Sequence, residues 1–139
     1  MAAGILYFKN KSTADIKNAA TEASDAIIEK MRSIILPEID FREASITDIV
    51  VFLSEASLVH GDPAIPVEER GVNFVLGFVV MQGYYVNDIW DYSARSVAPV
   101  TINCRFISLL DVLEMTLKMA DLKFFIRDNV VIIMPNDRP

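Results

Sequence analysis

At 139 residues the chain has room for one ordinary domain with its own core and is too short to expect two. An apolar fraction of 53% with only 23% charged residues excludes a mostly disordered chain. The net charge of -6 disfavours nucleic acid, because phosphate binding draws on clustered Lys and Arg and the sequence has no such cluster.

Met1 to Phe8 is a short apolar run without a basic leader or a small-residue cleavage site, so it does not read as a signal peptide. The chain is expected to be either cytosolic or a mature fragment whose leader has been removed. No stretch reaches the roughly 18 apolar residues of a spanning helix, so direct membrane insertion is not expected. Ser12 to Ile35 reads as an amphipathic helix: Ile16, Ala20, Ala23, Ile27, Met31 and Ile34 recur at intervals of three or four. Its narrow, Ala-rich face suits close packing on the domain or on another copy of itself, which keeps a homo-oligomer among the expectations. Pro37 is expected to end it, because a proline pushes the preceding residue out of the α region.

Two copies of one pattern follow. Ile39 to Leu53 aligns with Ile102 to Thr116 without a gap at an offset of 63, with Ile, Arg, Ser and Asp at matching places. Each copy reads as a short alternating strand, a Ser that caps a helix, and an Asp at the third helical position that can accept bonds from first-turn amides. The first helix, Ser45 to about Ser57, has Ile46, Ile49, Val50, Leu53 and Ala56 on one stripe with Val51 and Phe52 beside it. The second, Ser108 to about Ala120, has Leu109, Val112, Leu113, Leu117 and Ala120, with Leu110, Met115 and Met119 around them. That is more apolar surface than one covering layer needs, so both helices are expected between two layers. Val72, Phe74, Leu76 and Phe78 alternate as a strand; Leu122, Phe124 and Ile126 form another that turns through Asp128-Asn129 into Val130 to Met134 as a hairpin.

No residue set here points to catalysis. His60 is the sole histidine and Cys104 the sole cysteine, which leaves no His-based or Cys-based metal cluster and no internal disulfide. His60 sits in a turn beside Gly61-Asp62-Pro63 and reads as an exposed loop residue, and Cys104 falls at a core-facing strand position and reads as a small buried hydrophobe. Neither GxGxxG nor GxxxxGK[ST] occurs, so no nucleotide cofactor is expected. The stretch Gly83 to Tyr92 holds Tyr84, Tyr85, Trp90 and Tyr92, within a long excursion from Gly77 to Ala98 between the two copies. Tyr and Trp are enriched at binding hot spots because they pair large apolar area with a polar tip. The segment reads either as a cover packed back on the domain or as a partner-binding surface built on those four residues.

The run Ile34-Ile35-Leu36-Pro37-Glu38-Ile39-Asp40-Phe41-Arg42-Glu43-Ala44-Ser45, the helix to Ser57, Gly71-Val72-Asn73-Phe74-Val75-Leu76, Val100-Thr101-Ile102, Ser108-Leu109 and Ala120-Asp121-Leu122-Lys123-Phe124 resemble the secretin and TonB-receptor short N-terminal domain. The resemblance covers roughly residues 34 to 135. It implies an α+β fold of order β-α-β-β-α-β-β, with two helices between a two-stranded and a three-stranded sheet. The chain then divides into an N-terminal helix, residues 1–36, and a domain at residues 37–135. The resemblance also implies a non-enzymatic docking or assembly role in the periplasm or cell envelope, with another envelope protein as partner and no cofactor or metal. The competing expectation is a small cytosolic ligand-binding domain or enzyme using a cleft between the two copies.

Overall fold

The computed structural model describes residues 13–80 and 94–136. Helix α1 (Thr13–Ser33) leads into strand β1 (Ile35–Ala44), helix α2 (Ile46–Val59) and strand β2 (Asn73–Leu76). Two short strands follow, β3 (Val79–Val80) and β4 (Ala94–Arg95), then β5 (Val100–Ser108), helix α3 (Leu109–Ala120) and the hairpin of β6 (Leu122–Arg127) and β7 (Val130–Pro135). β1 and β5 form an antiparallel two-stranded sheet, while β2, β7 and β6 form a mixed sheet in that order, with β2 parallel to β7. Each of α2 and α3 touches both sheets, so the two helices lie between a two-stranded and a three-stranded layer in an α+β fold. The separate β3–β4 pair is an addition the sequence pattern does not announce.

The two strand-to-helix joints have the same geometry. Ser45 and Ser108 are extended, and each hydroxyl accepts a bond from the amide of the Asp three residues on, at 3.2 Å and 3.1 Å. The serines, and not the carboxylates, do the capping; Asp48 and Asp111 stand in the first turn, where a negative charge favours the helix dipole. Two residues before each serine the chain takes the left-handed conformation, at Glu43 (φ 49°) and Phe106 (φ 51°), positions that correspond at the same offset. The inward helical positions correspond too: Ile46 with Leu109, Ile49 with Val112, Val50 with Leu113 and Leu53 with Thr116 are all buried. Ser45→Ala and Ser108→Ala are each expected to lower stability by about 0.5–2 kcal/mol, read as a lower denaturant midpoint at unchanged slope. Midpoints equal to that of the parent chain would show that water replaces the hydroxyls at no cost.

Local pattern and tertiary structure differ at two places and agree at a third. The leading helix stops at Ser33, and β1 starts at Ile35 and runs through Pro37, although the apolar spacing predicts helix as far as Ile35. A proline is tolerated there because a two-stranded sheet consists only of edge strands, where an amide can be spared. The second difference is unequal cover: α3 buries Leu110 and Leu117, where α2 carries Thr47 and Ser54, and α1 packs against α3, β5 and β6. Val51, Phe52, Leu58 and Val59 of α2 and Met115 and Met119 of α3 stay exposed, so part of the surplus apolar surface on both helices faces outward. The agreement is at Asp128 and Asn129, which both have positive φ, 53° and 64°, as a two-residue turn of the mirror-image type requires between Arg127 and Val130.

Candidate functional site

The four aromatic residues singled out above, Tyr84, Tyr85, Trp90 and Tyr92, lie outside the described residues. The structure does fix the frame that carries their segment. From β2 the chain continues along β7, with the Gly77 amide donating to the Ile133 carbonyl at 2.8 Å. Phe78, Val80 and Val97 pack against the core. β3 and β4 pair in parallel, Val79 opposite Ala94 and Val80 opposite Arg95. Both ends of residues 81–93 are therefore anchored side by side, by strand pairing and by apolar contacts with the main core.

Among the described residues, His60 and Cys104 each have a structural place. His60 is exposed at the end of α2, its backbone amide donating to the Ala56 carbonyl at 2.9 Å, and it closes the helix as a cap residue. Cys104 is half-buried on β5 opposite Ile39 and packs against the core. Among the described residues no group of three or more His, Cys, Asp or Glu side chains converges as a metal site would require. A polar cleft of about 390 Å³ lies between α1 and the β2 end, lined by groups that include Lys30, Glu68, Arg70 and Asn129. Its cations are already engaged in holding the loop: Lys30 donates to the Glu69 carbonyl at 2.9 Å, and Arg70 to the carbonyls of Ile65 and Pro63 at 2.9 and 3.3 Å. That cleft reads as a loop anchor.

The two sheets present outer faces of opposite character. On the two-stranded sheet, Glu38 stands opposite Arg105 and Asp40 opposite Asn103, with Arg42 bonded to the Asp40 carboxylate at 3.1 Å. On the three-stranded sheet the register aligns Val75, Ile132 and Phe125 in one row across all three strands, with Val75 and Phe125 exposed. Lys123 and Arg127, also on β6, flank that row. Sequence alternation places Val75, Lys123, Phe125 and Arg127 outward on their own strands, assigns no face to Ile132 in its uniformly apolar strand, and carries no sign that the three strands adjoin. Phe106, 78% exposed, is a separate case: its left-handed backbone breaks the alternation of β5 and turns the ring outward.

Comparison with known protein families, curated proteins and solved structures finds no match to this chain.

Proposed function

We propose that the chain is a non-enzymatic docking or assembly domain of the bacterial cell envelope, of the secretin and TonB-receptor short N-terminal kind. The observation that supports this most is the partition of strands, β1 with β5 and β2–β7–β6, on either side of α2 and α3. That partition is what the resemblance implies, and other strand pairings would have satisfied the same alternating pattern. In this reading the protein acts by surface complementarity, and the segment carrying Tyr84, Tyr85, Trp90 and Tyr92 supplies the contact. The frame suits such a role, because a segment whose two ends are anchored to a core loses less freedom on binding than one hanging from a flexible linker. Its partner is another envelope protein.

The test combines location and binding. In the bacterium that encodes it, the tagged full-length gene product should fractionate with the periplasm or envelope, and the purified chain should recover a protein from the envelope fraction and not from the cytosol. Trp90→Ala or Tyr85→Ala should abolish that recovery while lowering the melting temperature by less than about 5 °C, the size expected of a side chain that serves binding and not the core. A cytosolic location would sink the envelope reading. Aromatic variants that unfold the domain would assign those side chains to its cover instead.

A further inference from the structure

The outer face of the three-stranded sheet is apolar across its width. Val75, Ile132 and Phe125 form its middle row, with Val75 45% and Phe125 44% exposed. On β7, Val130 and Met134 stand two residues either side of Ile132 and so share its face. A Cβ at Gly77 would run into the Met134 sulfur and come within 3.1 Å of an Ile132 methyl carbon, so both side chains lean over that glycine. A strand with both faces covered carries an unbroken apolar run, and parallel pairs are normally covered on both sides. β7 has that run and pairs in parallel with β2, yet Val131 and Ile133 are buried while Val130, Ile132 and Met134 are only half-buried. Lys123 and Arg127 border the face on β6, and neither makes an ion pair among the described residues. The carboxylates nearest them in sequence belong to the two ends of β6: Asp121 ends α3 and accepts from the Asn136 amide, and Asp128 stands in the turn to β7.

We infer that this face binds a short amphipathic helix of a partner protein, laid along β7 with its apolar stripe on the row of Val75, Ile132 and Phe125 and with carboxylates on the flank above β6. Dimensions select a helix. Strands about 4.8 Å apart set β2 and β6 about 10 Å from each other, the diameter of a helix. An added strand would lie at an edge and leave the row uncovered. Val130 to Met134 extends about 15 Å, the length of about 10 helical residues. The Met134 thioether suits such a surface, because its flexible side chain adapts to the ridges of a helix. Area selects against a second copy stacked sheet on sheet: the face offers on the order of 200 Å² per partner, while a specific, stable interface takes about 600 Å² from each. Lys123 and Arg127 give the occupant its polarity, since both stand on one border and a carboxylate-bearing flank meets them only in one orientation. This surface is independent of the aromatic segment proposed above and serves in whatever compartment the chain works.

The probe is a synthetic alanine-based peptide of about 12 residues, with leucines at helical spacing and glutamates along one flank of that stripe, added to the isotopically labelled full chain at up to about 1 mM, the range in which a short peptide that must order itself binds. Amide shifts should concentrate on residues 73–77, 123–127 and 130–134. The same peptide with a central proline, which breaks the helix, should bind at least about tenfold more weakly. Phe125→Ala should weaken binding about tenfold or more at a nearly unchanged melting temperature, because the ring is half out of the sheet already. The doubly substituted chain Lys123→Glu, Arg127→Glu should prefer a peptide with lysines in place of the glutamates. If that variant does not fold, the proline and Phe125 comparisons decide. No shifts on this face, as when another segment of the chain lies over it, or binding indifferent to both the proline and Phe125→Ala, would overturn the inference.

Discussion

Leu53→Ala and Leu113→Ala are each expected to destabilise the chain by about 2–5 kcal/mol, the largest effects of any substitution proposed for it. Both leucines are fully buried, one on the inner stripe of α2 and the other on that of α3. Each helix touches both sheets, so removing a leucine opens a void that no single layer can collapse to fill. The cost therefore combines lost transfer free energy with a cavity. Urea or guanidinium titration gives the comparison: both midpoints should fall further than those of the two serine-cap variants. Midpoints near the parent value would show that the helices are not sandwiched.

Ser57→Ala should cost about 1–3 kcal/mol, a large effect for deleting one oxygen. Ser57 is fully buried near the end of α2, and its hydroxyl accepts a bond from the Val72 amide at 2.8 Å while donating to the Ser54 carbonyl at 2.7 Å. It thereby latches the far end of the connection between α2 and β2. Gly71, beside that latch, has φ of 90°, and a Cβ there would stand 2.7 Å from a Leu58 methyl carbon, so the chain can enter β2 this closely only through a glycine. Alanine at position 57 leaves the Val72 amide buried with no partner, and the penalty is the desolvation of that amide. Hydrogen exchange at Val72 gives a local readout: its protection should fall more than that of Phe74 on β2. Equal protection in the variant and the parent would mean that another acceptor serves that amide.

Much of the fold was legible in the sequence because it rests on short-range chemistry. A serine followed three residues later by an aspartate, ahead of an apolar stripe, specifies a capped helix wherever it occurs, and both copies form one. Asp128-Asn129 specifies a tight turn because those residues tolerate positive φ. Alternation identified the buried face of β6, since a strand period of two admits only one assignment once a face is buried, whereas β7 is apolar from Val130 to Met134 and only the tertiary structure selects Val131 and Ile133 as its buried face. The candidate contact residues Tyr84, Tyr85, Trp90 and Tyr92 were singled out by composition alone and lie outside the described residues.

Other features depended on which distant segments meet. Nothing within Asn73–Leu76 says that it lies parallel to β7 while β1 pairs with β5, because every strand carries the same unspecific row of amides and carbonyls; the choice falls to the packing of both helices at once. The stop of α1 at Ser33 and the passage of β1 through Pro37 follow from pairing with β5, a long-range contact that overrides a local helical period. Ser57 looked like any polar residue near a helix end until Val72, fifteen residues on, supplied its donor. The groove lined by Glu38, Asp40, Phe41 and Phe52 likewise exists only in three dimensions: these are ordinary strand and helix residues, and they meet because α2 packs against β1.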